Sequence, residues 1–273
     1  MSSNPMVAAS APVLEALPSV GYAHEFDDNE NTRYAIYFAP PPASAWWTFG
    51  CAWLGRDPVV DADVARPRVA RWDAAYFARI TAKPRRYGFH ATLKAPFRLA
   101  PGYTAQNVYL QAANLASSLN PARLPPLQLA EIDGFVALSF THGDTGQHAA
   151  HAVAAQCVSG FDNLRAPATA AELARRHTAP LTARQTRLLA EWGYPHAFDE
   201  FRFHLTLTGR LPAAERQQII DALSPLVDAL NAEPLLLDAL SIYRQPAWDA
   251  PFVVMRRYRF NGSVDIYRCA SSG

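Results

Sequence analysis

Cysteine is scarce in this chain, with three in 273 residues: Cys51, Cys157 and Cys269. Far apart and odd in number, they offer neither a disulfide framework nor a zinc-ligand spacing, which favours a reducing, cytoplasmic setting. No run of about eighteen apolar residues occurs, so no membrane-spanning helix and no membrane partner are expected. The Ala-, Ser- and Pro-rich N-terminus lacks a basic start and a continuous apolar stretch, and does not read as a signal peptide. Charge of one sign is not in excess either. Lys plus Arg number 25 against 24 Asp plus Glu, a net +1. That balance leaves no basic stripe for a long nucleic acid, although a local cationic pocket for a small anion remains open. A Gly-rich phosphate loop, a Gly-x-Ser-x-Gly elbow and a dinucleotide fingerprint are all missing. No pattern calls for a cofactor or a metal.

What is present describes a folded protein. Half of the residues are apolar and only 18% are charged, and the length suffices for one large domain or two small lobes. Residues 1–30, ending in Asp27-Asp28-Asn29-Glu30, read as a loose tail, and residues 31–273 as a single two-lobed domain with the lobe boundary near 125. A strand is expected at 33–38 and a short helix at 72–80, with Lys83-Pro84 breaking the chain after it. A helix follows at 105–119, its apolar face carrying Val108, Ala112, Leu115 and Leu119. Asp133-Gly134 between two apolar runs signals a two-residue hairpin. Thr169-x-x-Glu172 and Thr182-x-x-Gln185 are capping boxes, and Pro212 opens a further helix. Two strands, near 235–243 and 252–260, close the chain. Helices alternating with hairpin-linked strands favour an α+β fold with antiparallel sheets.

Two segments carry the chemistry: Arg86-Tyr-Gly-Phe-His90-Ala-Thr92-Leu-Lys94 and Arg202-Phe-His204-Leu-Thr206-Leu-Thr208. In a strand, side chains two apart share a face. One face of the first segment then holds Arg86, Gly88, His90, Thr92 and Lys94. One face of the second holds Arg202, His204, Thr206 and Thr208, and the opposite faces of both are apolar. Such a set suits a phosphodiester. Cations and hydroxyls can hold its free oxygens, and two imidazoles, with pKa values of roughly 6.5, can divide the work of base and acid. A single His-x-Thr is most often structural; two copies on matching alternating strands are much harder to produce by chance.

These paired strands resemble those of the two-histidine (2H) phosphoesterase superfamily, which includes RNA 2′–5′ ligase-like proteins and cyclic nucleotide phosphodiesterases. The stretches from Arg86 to Phe97, Trp192-Gly-Tyr-Pro195 and Phe201 to Gly209 are similar to a bacterial branch whose genes often sit beside those for phosphonate breakdown. Phe161-Asp-Asn-Leu-Arg-Ala-Pro167 and Glu172-Leu-Ala-Arg-Arg176 look like that branch too, so the resemblance covers roughly residues 33 to 260. It implies two pseudo-symmetric lobes with antiparallel sheets flanking a central groove. It also implies His90 and His204 as the acid–base pair, with Thr92 and Thr206 holding phosphate oxygens. Lys94, Arg86, Arg202 and Thr208 come from the strand faces alone. Tyr37 and Gln245 are candidates because they lie on, or just beyond, strands that could border the groove.

The expected activity is a metal-independent cyclic phosphodiesterase acting on a small sugar or nucleotide cyclic phosphate, in phosphonate metabolism. The alternatives are RNA end processing or ligation, which near-neutral charge argues against, and a non-catalytic phosphometabolite-binding protein. The expected partner is a small phosphorylated substrate; the oligomeric state is not legible. His148-x-x-His151, with His142 nearby, lacks the third ligand of a metal site and reads as a solvated segment, while His24, His177 and His196 have no suggestive company. Trp46, Trp47 and Trp53 could stack a base, but core packing is the commoner use of such a cluster.

Overall fold

The computed structural model describes residues 28–69, 72–140, 146–176 and 180–267. Most of the expected tail, to residue 27, lies outside them, as do His24, His142, His177 and Cys269. The first half runs β1 (Arg33–Phe38), α1 (Ala45–Leu54), β2 (Arg56–Asp57), β3 (Ala62–Asp63), α2 (Ala74–Arg85), β4 (Ala91–Phe97), α3 (Ala105–Ser118) and β5 (Ala122–Arg123). Then come β6 (Gln128–Ile132), β7 (Phe135–Ser139), α4 (Gly146–Gly160), α5 (Ala170–Arg176), α6 (Ala183–Trp192) and β8 (His204–Thr206). The chain closes with α7 (Ala213–Leu230), β9 (Leu236–Leu237), β10 (Ala239–Gln245), β11 (Val253–Arg259) and β12 (Val264–Ile266). The fold is α+β with antiparallel sheets. No helix among the described residues is long and apolar enough to cross a membrane.

Two sheets organise the molecule: a five-stranded one in the order β12-β11-β10-β1-β4 and a three-stranded one in the order β6-β7-β8. The first puts β1 between β10 and β4, which is why every residue of β1 is buried, including Arg33. Helix α3 packs against β10 and β11, α4 against β4, and α7 against β6 and β7. Because β10 to β12 return to the sheet that β1 began, no single cut near residue 125 separates the two sheets. One apolar core joins them, with Phe38 and Phe203 rings 5.7 Å apart and Phe203 stacked on Phe140 at 4.5 Å. The Trp-rich stretch is helix α1, capped by Ser44 and stopped by Gly55. Trp46, Trp47 and Trp53 are buried in it as core.

Helix α2 departs from expectation. It does not stop before Lys83-Pro84 but continues to Arg85, with Pro84 inside it. A proline has no N–H for the carbonyl four residues back, so the Ile80 carbonyl loses its helical partner. The Gly209 N–H, just past the second His-x-Thr segment, donates to it instead at 2.7 Å. The Trp53 indole N–H donates to the Leu207 carbonyl at 2.9 Å. Both bonds tie the strand that carries His204 to helices of the other half.

Candidate active site

Glycine and aromatic packing fix the first histidine. Gly88 has φ +79°, and a Cβ there would lie 2.8 Å from Pro58 Cγ, so only glycine fits without strain. Phe89 is fully buried against α1 at Gly50, where a Cβ would come within 2.1 Å of its ring. His90 therefore leaves the turn in one direction and faces away from the core. Its Nδ1–H donates to the Gly88 carbonyl at 2.9 Å, Tyr37 stacks on its ring at 3.7 Å and 22°, and Nε2 lies 3.3 Å from Thr92 Oγ1. A carbonyl can only accept, so Nδ1 carries the proton and the Nε2 of the neutral ring is a base.

The second segment repeats the device. Leu205 pairs with Leu138 on β7 while Phe203, Leu205 and Leu207 are buried, which turns His204 and Thr206 outward. Nδ1–H of His204 donates to the carbonyl of Arg202, again two residues back, at 2.8 Å. β4 and β8 approach one another, and His90, Thr92, His204 and Thr206 all line one cleft of about 680 Å³. That volume suits a small molecule.

Burial lowers the pKa of His90 to about 4, opposed by its bond to the Gly88 carbonyl and reinforced by His204. Burial likewise lowers His204; the Arg202 carbonyl opposes this, His196 adds to it, and Asp133 pulls the other way. Each ring thus feels charge on a neighbour in the same cleft.

The other sequence candidates divide. Tyr37 lines the cleft, pairing in register with Thr92; its phenol is held protonated by burial. Arg202 lines it and is exposed. Thr208 lies at its wall, but its hydroxyl is committed, accepting from Val136 N–H at 3.0 Å and donating to the Gly209 carbonyl at 2.8 Å. Lys94 is not in the cleft. A bulge sets Ile36 opposite Lys94 and Tyr37 opposite Thr92, so the extra residue inverts the facing beyond Thr92. Ala95 takes the cleft position, and the Lys94 ammonium is buried on the Val158 carbonyl (2.8 Å) and Asp162 (3.2 Å). Arg86 caps α2 rather than lying in a strand, and its guanidinium sits 3.7 Å from Asp249, outside the cleft lining. Gln245 is fully buried, its amide spent on Arg33 and on the carbonyls of Trp248 (2.9 Å) and Ala250 (2.7 Å).

Strand parity did not single out several other polar residues of the cleft, among them His196, Asp133, Glu200, Lys83 and Arg210. Arg210 alone could have been found, since it continues the even-numbered series from Arg202. His148 and His151 lie on α4, His151 edge-on to Phe201 at 4.9 Å. Among the described residues, no three His, Cys, Asp or Glu side chains gather as a metal site.

Residues 92–253 match the model of a family described as "Protein of unknown function (DUF1045)". The chain is 39% identical over 246 residues to a protein of Janthinobacterium sp. (strain Marseille) named "Ribose 1,5-bisphosphate phosphokinase PhnN", covering 89% of this chain and 54% of that one. A protein of the same name from Laribacter hongkongensis (strain HLHK9) is 35% identical over 224 residues, covering 82% and 51%. The chain spans about half the length of the curated relatives it matches.

Proposed function

The chain belongs to the DUF1045 family, and on that footing we propose that it is a metal-independent cyclic phosphodiesterase of the two-histidine type. Its substrate in this reading is a small sugar or nucleotide cyclic phosphate. The observation that carries the proposal is the repeated histidine geometry. Two imidazoles in one cleft are each fixed by an Nδ1–H bond to the carbonyl two residues back, and each is followed two residues on by a threonine.

The step balances without another reactant. Nε2 of one histidine takes a proton from water as its oxygen bonds to phosphorus. The ring P–O bond breaks, and its oxygen takes the Nε2 proton of the other histidine. His90, the ring burial holds neutral down to about pH 4, is assigned the base. His204, which feels the Asp133 carboxylate, is assigned the acid. Thr92 and Thr206 donate to the free phosphoryl oxygens, Arg202 adds charge, and solvent returns the rings to their starting states.

The kinase named in the relatives needs a nucleotide-phosphate cradle, and the chain has no Gly-x-x-x-x-Gly-Lys-Ser/Thr sequence. We assign that activity to the parts of those proteins that this chain does not match. What carries over is the phosphosugar, which agrees with the phosphonate setting implied by the sequence resemblance. The test is release of phosphomonoester from cyclic phosphates in EDTA. His90→Ala and His204→Ala should each lose roughly 100- to 10,000-fold. Full activity in either variant would remove the paired mechanism.

A further inference from the structure

We propose that the cleft holds a second anion subsite, built from Lys83 and Arg210, for a further phosphate on the substrate; the assignment rests on the reading of the cleft as a phosphoester site. The chain commits most of its described arginines. Arg56, Arg79, Arg98, Arg165, Arg216 and Arg257, for example, each lie within 4 Å of a carboxylate. Lys83 and Arg210 differ. Both are exposed, both line the cleft, and neither has a carboxylate partner among the described residues. The cleft's own carboxylates do not neutralise them. Glu200 accepts from the Gln185 amide at 2.9 Å, and Asp133 lies near His196 and His204.

Position argues the same way. Lys83 sits one turn beyond Ile80 on α2, and Arg210 directly follows Gly209. The 2.7 Å bond between Gly209 N–H and the Ile80 carbonyl therefore holds the two backbones together. Each half of the protein contributes one of these cations to the cleft lining, from backbones joined by that bond. Thr206, which would hold the reacting phosphate, precedes Arg210 by four residues, at most ~13 Å of extended chain. By ordinary bond lengths an extended lysine or arginine side chain spans about 6 Å, which is enough to bring two bound phosphates to the separation that a pentose sets. The substrate class is accordingly a pentose cyclic phosphate bearing a second, monoester phosphate. A cluster with no internal counter-charge costs less to keep when an anionic ligand completes it.

The test measures binding and so does not depend on turnover. Affinities for ribose 5-phosphate and for ribulose 1,5-bisphosphate are compared by calorimetry. Wild type should prefer the bisphosphate by about 30-fold or more, the size expected of added charge-assisted hydrogen bonds. Lys83→Gln/Arg210→Gln should shrink that ratio to within about threefold. Arg123→Gln/Arg187→Gln removes the same charge from exposed residues outside the cleft lining and should leave the ratio standing. Equal wild-type affinities, no binding of either sugar, or an equal loss in the control variant would overturn the subsite. A preserved bisphosphate preference with no cleavage of any cyclic phosphate would overturn the hydrolase and keep the subsite.

Discussion

Replacing His90 by Gln should change how stability depends on pH, and the size follows from the ring's surroundings. Burial lowers its pKa from 6.5 to about 4 in the folded protein. Between those values the unfolded chain binds a proton that the folded one refuses, so stability falls as pH falls through this window. The ordinary linkage relation makes the loss about 2 kcal/mol at pH 5 and about 3 kcal/mol at pH 4. The ring is only part-buried, and solvent screening reduces the figure at pH 5 to about 1–2 kcal/mol. Urea unfolding of wild type and His90→Gln at pH 7.5, 6, 5 and 4 isolates the term, because His151, His196 and His204, also lowered, are common to both proteins. Glu172, lowered to about 2, loses its contribution mainly below its unfolded value of 4.5 and is common to both as well. The wild type should lose its advantage over the variant on acidification. A stability difference that stays flat from pH 7.5 to 4 would refute the claim that the fold holds this imidazole neutral.

Since both histidines titrate low and turnover needs one of them protonated, kcat/KM should rise as pH falls below neutrality and peak below about pH 6.5; a profile still rising above pH 8 would contradict this. Gly88→Ala, forced to φ +79° against Pro58, should cost about 2–3 kcal/mol in urea titrations and lower kcat by moving the carbonyl that orients His90. Lys94→Met should leave kcat/KM within about twofold and destabilise by about 1–3 kcal/mol. Asp162 would keep Arg165 at 2.8 Å, and a tenfold fall in kcat/KM would restore Lys94 to the site.

The two histidines and two threonines were legible because alternation settles a face whenever its opposite is apolar, as Phe203, Leu205 and Leu207 make it around His204. The same rule failed at Lys94, where one bulged residue reversed it. It failed at Arg86 because the strand begins only at Ala91, after a glycine turn. The Asp133-Gly134 turn was written in its residues, both of which take positive φ. That Asp133 would also come near His204 and His196 was not, since β8 had first to find β7. Nor could local pattern foresee the return of β10 to β12 beside β1, or the bond that joins Gly209 to Ile80. Pairings between distant segments leave no periodicity behind.

The proline within α2 has a kinetic meaning. A helix that ends on its own amides can complete its last turn as soon as it nucleates. This one presents the Ile80 carbonyl to water until Gly209, from far along the chain, arrives to claim it. The final turn of α2 and the exit of the second His-x-Thr segment should therefore mature together and late. The Gly209 amide, slow to exchange only once the halves have met, would be the clock that records assembly of the cleft.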